Sequence, residues 1–89
     1  MVEISNAKQR RTLERIFEDK PPKDILWQDV VSLFEHLRYK MYGMGGSLFC
    51  FKKSGSLPYH EHRPHPSKHL LPATVRKLRR YLEMMGVTP

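Results

Sequence analysis

Four of the chain's five histidines fall in one run, Tyr59-His60-Glu61-His62-Arg63-Pro64-His65-Pro66-Ser67-Lys68-His69. Imidazole is the side chain whose ordinary pKa lies nearest neutrality, so it can take and return a proton at cellular pH. Metal-free cleavage of RNA needs a base for the 2′-hydroxyl, an acid for the leaving 5′-oxygen and cations for the charge gathering on phosphate. His65 and His62, interleaved with Arg63 and Lys68, have the residue types for all three roles. A zinc site is the second reading, since His60 and His62 share one face of a strand and imidazole is a common ligand. No cysteine or well-placed carboxylate completes a familiar spacing, so neither metal nor cofactor is expected. The third reading makes these histidines ordinary strand and loop residues beside a proline-stiffened turn, and residue types alone favour it.

The surrounding charge points to a polyanion. Sixteen Lys and Arg against nine Asp and Glu give +7 over 89 residues. The first 45 residues carry eight basic and seven acidic groups; the remainder carries eight basic groups against only Glu61 and Glu83. An imbalance that local suits RNA, DNA or an acidic protein, the plainer reading being a solvated surface. No apolar run approaches the 18 residues or so that a membrane span needs, and the opening MVEISNAKQRR lacks a signal peptide's apolar stretch. The single Cys50 cannot close an internal disulfide. A single cytoplasmic domain over residues 1–89, without membrane attachment, is therefore expected.

The elements that must position these groups can be read from periodicity. Asn6 caps a first helix, with Gln9 completing a capping-box pattern. Leu13, Ile16 and Phe17 form its stripe, and Pro21-Pro22 ends it at about residue 20. Trp27, Val30, Val31, Phe34 and Leu37 recur at helical spacing from Trp27 to about Tyr39. That face is read as core, with ligand stacking by Trp27 as the other possibility. A weakly signalled strand near Lys40–Met44 precedes a glycine turn. Leu48-Phe49-Cys50-Phe51 reads as a buried strand, Lys52-Lys53-Ser54-Gly55 as a hairpin loop, and Leu57 to Arg63 as a second strand. The last helix opens on Pro72, stops at Gly86 and buries Val75, Leu78, Leu82 and Met85. Arg76, Arg79 and Arg80 share its remaining surface. Together these make an α+β fold, with helices on one face of a small antiparallel sheet.

This order of elements, with Gly46-Ser47 before Phe49 and Phe51, and His62-Arg63-Pro64-His65-Pro66-Ser67-Lys68 running into Ala73-Thr74-Val75-Arg76, resembles the HicA family of toxin–antitoxin systems. The resemblance covers about residues 27–87, and the helix at about 6–20 resembles an extension in one branch. It implies a double-stranded-RNA-binding-domain-like α-β-β-β-α fold, mRNA cleavage without metal, and neutralisation by a HicB-like antitoxin. His65 matches the second histidine of the family pattern. The family's catalytic histidine directly after glycine-serine is replaced here by Leu48. The resemblance thus makes His65 the first candidate for proton transfer and His62 the second, with Arg63 and Lys68 stabilising phosphate charge. Lys52, Lys53, Arg76, Arg79 and Arg80 are the expected RNA-backbone contacts. A non-catalytic RNA-binding module, or an interaction protein with an acidic partner, are the alternatives.

Overall fold

The computed structural model describes residues 6–89; residues 1–5 of the expected domain lie outside the described residues. Three helices and three strands follow the expected order: α1 (Ala7–Ile16), α2 (Trp27–His36), β1 (Lys40–Gly43), β2 (Leu48–Lys52), β3 (Tyr59–His62) and α3 (Pro72–Met84). The sheet is antiparallel in the order β1-β2-β3. Tyr42 and His60 flank Cys50, whereas Met41 and Tyr59 flank Phe51. The period of two along each strand therefore sorts the sheet into two faces. Phe34 of α2 stacks on Phe51 at 4.3 Å and on Tyr59 at 5.6 Å, and Tyr81 of α3 meets Tyr59 at 4.9 Å. Those contacts put α2 and α3 on one face. Lys40, Tyr42, Lys52, His60 and His62 stand on the other, exposed. Cys50 is also on that open face yet fully buried.

Local chemistry explains the helix ends. Asn6 Oδ1 accepts from the backbone N–H groups of Lys8 and Gln9 at 3.0 and 3.1 Å, satisfying two of the first turn's spare donors. The expected return bond is absent: Gln9 Oε1 is buried without a partner, so the cap is one-sided. α1 ends at Ile16 rather than near residue 20, where the chain tightens as Phe17 N–H donates to Glu14 and Glu18 N–H to Arg15 in i→i−3 bonds. α2 ends at His36 rather than Tyr39, for a sharper reason. Arg38 adopts φ 73°, Arg38 N–H donates to Glu35 and Tyr39 N–H donates to Phe34. α3 closes in the same way through Gly86 at φ 76°, with Gly86 N–H to Glu83 and Val87 N–H to Leu82. Both are Schellman closures, which place a left-handed residue just past the helix and bury the one after it.

The core contains the expected Leu13, Ile16, Trp27, Val30, Val31, Phe34, Leu37, Phe51, Val75, Leu78 and Leu82. Phe17, Phe49 and Met85 are only half-buried at its edge. Leu33 joins the core because α2 packs against α1 as well as the sheet. Three tyrosines join it too, since each phenol finds a partner. Tyr81 donates to the Leu57 carbonyl at 2.5 Å, which leaves Tyr39 to donate to the Tyr81 hydroxyl at 3.0 Å. Tyr59 donates to Glu61 at 2.8 Å. Burial raises the pKa of both Tyr59 and Tyr81 above the ordinary phenol range. No helix among the described residues is long and apolar enough to cross a membrane.

Candidate nucleic-acid interface

The histidine run divides between two sides of the sheet. After β3, Arg63 N–H donates to the Ser47 carbonyl at 2.8 Å, extending the ladder by one residue. Its guanidinium returns over the Phe49 ring, 5.8 Å from the centroid, a cation–π contact on the helix-covered face. Beyond the prolines the chain is pinned to the start of α2. Lys68 carbonyl accepts from Trp27 N–H, and Leu70 N–H donates to Ile25, both at 2.9 Å. Leu26, the residue capping α2, cannot accept a hydrogen bond through its side chain. The Lys68 carbonyl thus satisfies a helix donor that would otherwise be spare.

This tether opens a cleft of about 520 Å³ whose lining includes Trp27, Met41 and Phe49, with Arg63, His65 and Lys68 beside them. Trp27 and Phe49 meet at 5.9 Å in a tilted pair. Trp27 is 8% exposed, so it serves the core and offers the cleft an edge. Aromatic surface beside cations is the combination that takes up a base and its phosphate together. His65 adds an exposed imidazole to the same place.

His62 lies elsewhere. Strand alternation puts it on the open face, directly opposite Leu48 in the ladder. Its Nδ1 shares a hydrogen bond with Ser47 Oγ at 3.0 Å. His62 is therefore not among the residues that line the His65 cleft. His60 shares the open face with His62, as alternation predicts. Among the described residues, no group of three or more His, Cys, Asp or Glu is gathered closely enough to hold a metal ion.

No family model, curated protein or solved structure matches this chain. The cations expected to contact RNA form three groups. Arg63 and Lys68 belong to the His65 cleft. Lys52 and Lys53 line a shallower cleft with Arg38 and Lys40. Arg76 and Arg80 are exposed on the side of α3 away from its buried stripe. Arg79 does not join them: it donates to the Glu18 carbonyl at 3.3 Å, covers the Phe17 ring at 5.3 Å and straps α3 to the end of α1. Lys77 is likewise engaged, donating to the His60 carbonyl at 2.8 Å and pairing with Glu61 at 3.3 Å. Sequence reasoning missed Ser47, Arg38 and Lys40. None of the three carries a local signal in the sequence, because each acquires its place through the sheet register or the α2 closure.

Proposed function

We propose that this chain is a HicA-like toxin that binds mRNA and cleaves it without metal, restrained by a HicB-like antitoxin. The observation that carries this reading is the convergence of Arg63, His65 and Lys68 on one aromatic-walled cleft. A base contacts the Trp27–Phe49 wall while Arg63 and Lys68 hold the adjoining phosphate. His65 takes the proton of the 2′-hydroxyl; the 2′-oxygen bonds to phosphorus as the bond to the 5′-oxygen breaks. A 2′,3′-cyclic phosphate forms, and water protonates the departing oxygen. A single histidine suffices, which suits the separation of His62 from this cleft. An acidic antitoxin surface covering the cleft blocks it by steric and electrostatic means, with at least about 1,000 Å² buried in a stable complex.

Leu48 favours a second reading, an RNA-binding module that does not cut, because a leucine at that strand position cannot transfer a proton. A ribonuclease assay in chelator separates the two. The toxin reading expects cleavage to a cyclic phosphate, and His65→Ala to lower its rate by about 10²–10⁴-fold with RNA affinity nearly unchanged. His62→Ala should leave the rate within a few-fold. Binding without cleavage by the intact protein selects the second reading.

A further inference from the structure

The cleft on the far side of the sheet gathers cations that no carboxylate among the described residues pairs with. β1 and β2 pair Lys40 directly with Lys52, and like charges opposed across a ladder destabilise it. Lys53 and Arg38 join them around a space of about 390 Å³, with Ser54 among the lining groups and no carboxylate in the lining. Among the described residues none of these four cations forms an ion pair. Aromatic rings hold two of them in place: Lys52 Nζ lies 5.6 Å from the Tyr42 centroid and Lys53 Nζ lies 5.5 Å from that of Tyr39.

Arg38 supplies an independent observation. It occupies the left-handed position of the α2 closure at φ 73°, the place that Gly86 fills in the α3 closure. A side chain there is strained, since its Cβ crowds the backbone. Strain and charge opposition thus coincide at one cleft, and both would be relieved by uncharged or smaller residues. Backbone strain concentrated at a binding site is a recurrent consequence of selection for the ligand rather than for stability.

We propose that Arg38, Lys40, Lys52 and Lys53 form a binding site for closely spaced phosphate groups, distinct from the His65 cleft. Two sources share that chemistry, the backbone of an RNA strand and a free linear polyphosphate. The first deepens the proposed RNA function and rests on it; the second does not. Tyr42, half exposed at 46% beside Lys52, presents a ring on which a base can lie in the first case.

The test uses the intact chain, amide-resolved NMR, and two probes, tripolyphosphate and a single-stranded RNA dodecamer. Both are titrated into wild type, Lys40→Gln/Lys52→Gln, and Lys20→Gln/Lys23→Gln, which removes the same charge from exposed residues outside the cleft. Tripolyphosphate should shift the amides of residues 38–42 and 52–56. The cleft double variant should bind it about tenfold more weakly, with the control within about twofold of wild type. Equal losses in the two variants, or shifts scattered over every basic segment, would overturn the site. Tripolyphosphate seated in the cleft with no binding of RNA keeps the site, assigns it to free polyphosphate and defeats the RNA function. RNA that shifts only residues 63–68, with tripolyphosphate unbound, defeats the site and leaves the RNA function standing. The far-ultraviolet circular dichroism of each variant checks that the sheet is intact.

Discussion

The cleft beside His65 shares its wall with the core, whereas the cleft between Lys40 and Lys52 lies on the bare face of the same sheet. Trp27 and Phe49 touch both cleft and packing, and Trp27 also meets Phe51 at 5.9 Å. The open-face cleft is built mainly from charged side chains, two of them against tyrosine rings, with Ser54, Ser56 and Pro58 completing its lining. The first region is packed into the apolar core, whereas the second opposes like charges across a ladder, an arrangement that costs stability. Mutations in the first should couple stability to binding, and mutations in the second should set them against each other.

The largest expected effect breaks the first region. Trp27→Ala removes a nearly buried indole and should cost about 3–5 kcal/mol in a denaturant titration, losing RNA binding with it. Preserved stability would show that Trp27 is not part of the core it appears in. The next effect concerns pH on the same side of the sheet. Tyr59 titrates well above 10.0, its ordinary value, because burial and its bond to Glu61 oppose ionisation. Below pH 10 its phenol is neutral folded or unfolded, so it does not alter the balance. Above pH 10 the unfolded chain ionises first, and stability should fall by about 1.4 kcal/mol per pH unit from this group. Tyr59→Phe should flatten that decline in thermal melts between pH 10 and 11.

A smaller change acts in the opposite direction on the second region. Arg38→Gly should raise stability by about 1 kcal/mol, the relief of the left-handed backbone less the added freedom of the unfolded glycine. It should weaken tripolyphosphate binding at the same time. A variant that is neither more stable nor weaker in binding would erase the contrast between the clefts. The smallest effect is expected at α3. Arg76→Ala/Arg80→Ala should change the salt dependence of binding a short RNA by less than about one unit of slope, because neither residue lines either cleft. A fall of about 1.4 units, about 0.7 for each of two phosphates, would extend the RNA path over α3.

Periodicity alone determined the helices, the strands and most of the core, because apolar spacing of 3.6 or 2 residues dictates which side of an element can be buried. Pro72 and Gly86 marked their helix ends for equally local reasons. The helix stop at Arg38 was not legible, since no propensity puts arginine in a left-handed position. Nor was the burial of Tyr39, Tyr59 and Tyr81, whose hydroxyls needed acceptors from distant segments before they could leave water. The histidine run was visible as a concentration of proton-transferring groups, and alternation placed His60 and His62 together. Only the tertiary structure separated His62 from His65. That separation depends on which face of β3 the helices cover and on the tether from Lys68 to Trp27, and both are contacts between segments far apart in the chain. The pairing of Lys40 with Lys52 has the same origin: ladder register is set by which residues of β1 and β2 reach the core together.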